Sequence, residues 1–363
     1  MIIRRRSLMT GAAGALMTAP MTTMAAGSDL LGAGGSTIRP IMAGWLELLA
    51  KSSLGLNVDY QAIGSPTGTT RILAGITDFA ILEIPLSDEQ LAPANLYQFP
   101  LAFTAIVFVV NIPGIATNQL ALTGQALGGI YSGAIKKWND PRIVAANPGL
   151  ALPDLDIHPI FHAEPGGAML GDTIGVTSYL LSANADWRAK FGSTIPRRWS
   201  VGSMSQTGET VSATIKVLEG SIGYLPLGAA LSAKLPIVAK RDDKGQAVNA
   251  GADSLKAAVA AVDWAKTPNL VGKLVDLPGD GVWPVVIASY GVIPRDLKGK
   301  ANGTALRAFF KFALTEGIET SRKRGGEPPP AAIQARVLAQ LDNFSACSII
   351  PAFSGTPRAR GPG

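Results

Sequence analysis

Two turns rich in glycine and hydroxyl residues, each set directly before a helical apolar pattern, constrain this chain more than any other feature. In the first, Gly32-Ala33-Gly34-Gly35-Ser36-Thr37 leads to Pro40, which is acceptable in the first turn of a helix running through Trp45 and Leu49. In the second, Ser65, Thr67 and Thr69 precede Ile72, Leu73 and Ile76 at helical spacing. Backbone N–H groups at a helix start have no partner within the helix, so such a turn is either a plain N-cap or a place to hold an anion. A short apolar run, Phe79 to Leu82, follows the second turn and ends on a lone carboxylate, Glu83. Two turns feeding one carboxylate favour the anion-holding reading.

Beyond them the chain keeps alternating short Val/Ile/Leu-rich runs with helical patterns, which predicts α/β layers. Strands are expected at Asn57 to Gln61, Phe79 to Leu82, Ala105 to Asn111, Ile157 to Phe161, Ser221 to Leu225 and Val285 to Tyr290. Helices are expected at Pro40 to Lys51, Thr69 to Ala74, Gly124 to Ser132, Thr173 to Ala183 and Glu209 to Glu219. Further helices are expected at Leu255 to Ala265, Gly303 to Thr315 and Pro330 to Asn343. No internal repeat is visible, and the tail over 351–363, ending TPRARGPG, has no periodicity and reads as disordered.

The length of 363 residues accommodates two domains, and a content of 47% hydrophobic against 16% charged residues excludes a disordered chain. The formal charge of +6 is no nucleic-acid footprint, because Arg4, Arg5 and Arg6 of the leader supply half of it. Those arginines precede a modestly apolar segment, and Ala25-Ala26-Gly27 offers small residues for cleavage, so 1–27 reads as an export signal. Arg5-Arg6-Ser7-Leu8-Met9 resembles a twin-arginine motif, with an ordinary secretory leader as the alternative. Pro20 and the scattered threonines argue against a retained membrane anchor, and a periplasmic location is expected. A single cysteine, Cys347, forms no internal disulfide.

The motifs have a family likeness. The segments GAG-x5-P with Trp45, YQ-x-IGS, and the run ending PLSDE, followed by QFP at Gln98 to Pro100, resemble the periplasmic phosphate-binding proteins of bacterial phosphate ABC transporters. The likeness continues through NIPG, IKKWND, NPGLALP, TSYL and GSIGY, then Trp283-Pro284, to the amphipathic helix near Leu306 to Phe312. It covers nearly all of the chain after the leader. It implies a two-lobed periplasmic binding protein (type II) fold with a hinge of two crossing strands, near Phe99-Pro100 and Trp283-Pro284. Lobe 1 is expected to be discontinuous, 28–101 and 283–345, with lobe 2 at 102–282. The resemblance also implies a monomer that captures inorganic phosphate or a related oxyanion for an inner-membrane ABC permease, with no cofactor and no catalysis.

Position by position, the resemblance puts a Thr-Phe pair on Ser36 and Thr37, a serine on Ser65, and the recognition aspartate on Glu83, one methylene longer. In lobe 2 an expected arginine has become His162, about four residues are inserted before the next helix, and the Ser-Gly-Thr hydroxyls have no clear counterpart. Gly166 and Gly167 remain as backbone donors, with Thr173 as one hydroxyl. Imidazole lacks the permanent charge and planar donor fork of guanidinium, so compensation of a dianion is weaker here. Three other readings exist. His158 and His162, with Asp156 and Glu164, share one strand face as conceivable metal ligands. Ser65, His162 and Asp172 form a conceivable hydrolytic grouping, although no G-x-S-x-G elbow, P-loop or C-x-x-C is present. The cleft could also take another oxyanion or a small polar ligand.

Overall fold

The computed structural model describes residues 29–163, 171–192, 201–242, 244–297 and 301–346. The leader, Cys347 and the 351–363 tail lie outside the described residues. The chain opens with β1 (Leu30–Gly34), α1 (Arg39–Leu49), β2 (Val58–Ala62), α2 (Ser65–Leu73) and β3 (Phe79–Leu82). A short α3 (Asp88–Leu91) leads to the long β4 (Leu96–Val110). The middle of the chain supplies β5 (Ala121–Leu122), α4 (Gly124–Ser132), α5 (Pro141–Val144), β6 (His158–His162), α6 (Gly171–Ala183) and α7 (Ala185–Phe191). Then come β7 (Ser203–Ser205), α8 (Gly208–Val217), β8 (Ser221–Pro226), α9 (Leu227–Ala233), β9 (Ala239–Arg241), β10 (Ala247–Val248) and α10 (Ala252–Ala260). The chain returns through β11 (Val286–Pro294), α11 (Gly303–Leu314), α12 (Ile318–Lys323), β12 (Gly326–Glu327) and α13 (Ala331–Ala346).

One sheet links the two halves in the order β2-β1-β3-β11-β4-β8-β6-β7. The strands β1, β2 and β3 are parallel, so their C-terminal ends, and the turns that follow them, lie together. β4 is shared: Leu96 to Ala105 pairs antiparallel with β11, whereas Ile106 to Val110 pairs with β8. Two strands thus carry the chain between lobes, as the sequence implied. The register slips between Ser289 and Tyr290, opposite Pro100. A proline cannot donate to a sheet ladder, and a bulge is where an interior strand tolerates one. Trp283, just before β11, is buried and donates its indole N–H to the Ile106 carbonyl at 2.8 Å, fastening the second crossing to the first.

Each half has apolar packing on both sheet faces. In the first, α1 buries Ile41, Met42, Trp45 and Leu49 at helical spacing, beside an aromatic cluster of Phe79, Phe99, Phe309 and Phe310. Full burial of such side chains stabilises by about 1.5–3 kcal/mol each. Trp45 also donates its indole N–H to the Gly317 carbonyl at 3.0 Å, tying α1 to the returning chain. In the second half, Phe108, Tyr131, Trp138 and Trp187 anchor one face and Val211, Ile215, Leu255 and Val259 the other.

Three expectations change. The Gly32-Ala33-Gly34 segment is the end of β1, sandwiched between β2 and β3, rather than part of the turn. A Cβ on Gly32 would meet the Phe79 ring at 2.1 Å and one on Gly34 the Ile81 carbonyl at 1.9 Å, which is why this strand carries two glycines and looks like a loop in sequence. α2 starts at Ser65, not Thr69, with Pro66 in its first turn. β4 begins nine residues before the expected Ala105, at Leu96, because Gln98 and Pro100 mask its pattern.

Candidate functional site

The turns after β1, β2 and β3 converge on Glu83. Its Oε1 accepts the Thr37 backbone N–H at 2.7 Å, just ahead of α1. Its own N–H donates to Ser65 Oγ at 2.9 Å, and the Ser65 hydroxyl lies 3.4 Å from Oε2. Tyr60, near the end of β2, donates its hydroxyl to the Gly35 carbonyl at 2.7 Å and so holds the first turn in place. A Cβ on Gly35 would fall 2.1 Å from Glu83 Oε1, so only glycine lets the carboxylate lie there. Ser36 and Thr37, Ser65 and Glu83 are therefore brought together, with Thr37, Ser65 and Glu83 all buried. Burial pushes the Glu83 carboxyl up to about 7; the negative charge of Asp172 adds to the rise, while the hydrogen bonds from Thr37 and Ser65 oppose it.

The facing half is built on the end of β6. The His162 N–H donates to the Tyr224 hydroxyl at 3.0 Å, and its ring is buried between two partners. Nε2 lies 3.0 Å from the Gln206 carbonyl, which can only accept, so Nε2 carries a proton. Nδ1 lies 2.7 Å from Asp172 Oδ2 in the first turn of α6. Burial opposes a charged imidazole, yet the Asp172 charge and hydrogen bond, the Gln206 carbonyl and the Glu83 charge together raise the His162 pKa above its ordinary value. His162 thus has a carboxylate of its own chain as counter-ion. Thr173, expected as a ligand hydroxyl, is instead fully buried and spends Oγ1 on the His162 carbonyl and the Tyr224 hydroxyl. Gly166 and Gly167 lie outside the described residues.

The two halves touch at Glu83. A Cβ on Gly171, the first residue of α6, would stand 2.5 Å from Glu83 Cβ and 2.7 Å from Oε2. Beside this contact opens a cavity of about 560 Å³ whose inner wall includes Ser36, Thr37, His162 and Asp172. It continues outward past Gly208 and Lys216 of α8. Arg39 of α1 and Glu209 of α8 pair across it at 2.6 Å, both about half exposed.

The sequence reading set Asp172 beside His162 only within the conceivable hydrolytic grouping, and did not assign Gln206, Tyr224 or Gly171 to the site. Asp172 carries a weak signal, an acidic residue in a first helical turn; the others carry none. Of the hydrolytic grouping the His162–Asp172 contact forms but the serine contact does not, and Glu164 of the metal reading lies outside the described residues. Ser65 is engaged with Glu83 while both His162 ring nitrogens are engaged elsewhere, so no serine–histidine contact forms. His158 is exposed while His162 is buried, and no His/Cys/Asp/Glu group able to hold a metal occurs among the described residues.

Two α/β lobes joined by crossing strands, with helix starts and strand ends facing a cleft, define a solute-binding protein of the periplasmic type. Residues 19–316 match the PBP superfamily domain. The chain is 35% identical to the phosphate-binding protein PstS of Xylella fastidiosa, over 86% of this chain and 85% of that one. It is 31% identical to PstS of Haemophilus influenzae, over 90% and 96%. A putative phosphate ABC transporter substrate-binding protein from Clostridium perfringens, solved with bound phosphate, superposes with a TM-score of 0.58 at 16% identity, over 83% of this chain and 99% of that one. The chain belongs to the PBP superfamily and, within it, to the PstS family of substrate-binding proteins.

Proposed function

We propose that this protein captures phosphate in the interlobe cleft and presents it to an ABC importer, without catalytic turnover. One observation carries the reading: the Thr37 N–H ahead of α1 already holds an anionic oxygen, Glu83 Oε1, at 2.7 Å in a buried setting. A site that orders a carboxylate this way has the donor geometry an oxyanion requires. The names of the PstS relatives supply the ion. We assign Ser36, Thr37, Ser65 and Glu83 to the ligand from lobe 1, and His162, Gly166 and Gly167 from lobe 2. The lobes are assigned as 28–101 with 283–345, and 102–282. Supporting that division, β4 changes partner from β11 to β8 between Ala105 and Ile106, a few residues past the boundary.

The protein acts as an exported monomer, released by cleavage after 1–27 and partnered by an inner-membrane permease. Among the described residues no helix is long and apolar enough to cross a membrane. A second reading, a larger organic anion, is favoured by the cavity of about 560 Å³, which falls within the ~300–1,000 Å³ usual for organic ligands. Titration calorimetry with phosphate, sulfate and simple phosphomonoesters tests both. Phosphate binding tightest supports the first reading, and a phosphomonoester binding tightest transfers support to the second.

A further inference from the structure

Glu83 does more than border the cleft: its carboxylate fills the place an anion would take. The Thr37 N–H has one hydrogen to give, and Oε1 has taken it at 2.7 Å. Oε1 and Oε2 lie within 2.1 and 2.6 Å of where a Cβ on Gly35 would be, and Oε2 within 2.7 Å of one on Gly171. The carboxylate is thus wedged between the first turn, the start of α2 and the start of α6. A ligand oxygen that takes the Thr37 N–H must replace Oε1. We propose, resting on the phosphate reading, that Glu83 is a tethered occupant of this cradle and that phosphate binds by displacing its carboxylate, which takes up a proton from solvent as it yields.

Charge requires the proton. Among the described residues, the groups facing Glu83 are the amide and hydroxyl of Thr37 just ahead of α1, Ser65 from α2, Tyr60 from β2, Asp172 from α6 and His162 from β6. Among these groups only His162 can carry positive charge, and Asp172 is its counter-ion at 2.7 Å. Arg39, Arg324 and Lys216 also line the cavity, but Arg39 and Arg324 are already paired with Glu209 and Glu47. A phosphate dianion entering against an ionised Glu83 would meet like charge in a buried site, which is severely unfavourable. A protonated Glu83 removes that charge and becomes a hydrogen-bond donor to the ligand. The elevated carboxyl, at about 7, puts this protonation within reach near neutrality. Length decides the occupancy: a side chain one methylene shorter withdraws its oxygens by about 1.5 Å, a C–C bond length, and leaves the Thr37 N–H free.

The test is titration calorimetry with inorganic phosphate near pH 8, in two buffers of different protonation enthalpy, on wild type, Glu83→Gln and Glu83→Asp. Wild type should take up close to one proton more per phosphate than Glu83→Gln, whose remaining uptake is that of phosphate itself. Glu83→Asp should bind phosphate about tenfold tighter. Wild type alone provides a second readout, since its uptake must exceed that of phosphate protonation. Equal proton counts in wild type and Glu83→Gln, or weaker binding by Glu83→Asp, overturn the displacement inference while leaving the phosphate reading intact. No phosphate binding by any of the three overturns the phosphate reading itself, and the inference with it.

Discussion

His162 Nδ1 lies 2.7 Å from Asp172 Oδ2, with both side chains at least nine-tenths buried, so the imidazole that stands in the cleft is already charge-balanced within lobe 2. Removing one member of such a pair leaves the other charge unmatched, at a cost of about 3–5 kcal/mol. Asp172→Asn should therefore lower stability by about 3 kcal/mol in urea unfolding. The pH dependence has a sign. A histidine raised in the folded state contributes stability fully present below its unfolded value of about 6.5 and lost as pH rises through the higher folded value. The Asp172→Asn deficit should be largest in mild acid and shrink in alkali; a pH-independent deficit rejects the charged pair.

Glu83 has the opposite linkage from the usual carboxylate. Its folded value, raised from 4.5 to about 7, makes ionisation a cost that grows as pH climbs through that interval and is complete above it. The interval corresponds to about 3 kcal/mol. Glu83→Gln keeps an acceptor for the Thr37 N–H and has nothing to ionise. It should gain up to about 3 kcal/mol over wild type near pH 8, with little gain near pH 4. The same difference at both ends of the range rejects an elevated Glu83.

Ser65 serves two bonds at once, accepting from the Glu83 N–H at 2.9 Å and facing Oε2 at 3.4 Å. Ser65→Ala should cost about 1 kcal/mol of stability through the unpaired amide, and weaken phosphate binding by about 1–3 kcal/mol. Calorimetry that returns unchanged affinity removes Ser65 from the site.

Gly171 should be intolerant of any side chain, since a Cβ there meets Glu83 Cβ at 2.5 Å and neither atom sits on a flexible arm. Gly171→Ala holds the lobes apart instead of unfolding either one. The expected result is at least about tenfold weaker phosphate binding with near-normal thermal unfolding, and a larger radius of gyration in small-angle scattering. Wild-type affinity and dimensions would show that the contact is not part of closure.

The Arg39–Glu209 pair joins the same lobes, but both side chains are about half exposed. Exposed pairs contribute about 0–1 kcal/mol and are screened by salt. Arg39→Ala should shift phosphate affinity by less than about fivefold, and only at low ionic strength. A larger loss that persists in high salt would make Arg39 a ligand contact.

By itself the sequence determined what is local. The spacing of Ile41, Trp45 and Leu49 marks α1, the run Phe79 to Leu82 marks β3 at its observed bounds, and Gly124 to Ser132 marks α4 likewise. Turn chemistry also brought Thr37, Ser65 and Glu83 to notice, because each stands where a helix or strand begins or ends. What only the tertiary structure decided involves groups whose relation is not carried by any period. β1 is a strand because β2 and β3 flank it, and its glycines leave room for the Phe79 ring at Gly32 and the Ile81 backbone at Gly34. His162 finds Asp172 through the packing of α6 on β6, and Gly171 meets Glu83 only because the lobes come together across the cleft. The seating of the Glu83 carboxylate on the Thr37 N–H joins residues 46 positions apart. Helix and strand periods report which side of an element is apolar; they carry no information about which buried polar groups will meet across a cleft, and the chemistry of this site depends on those meetings.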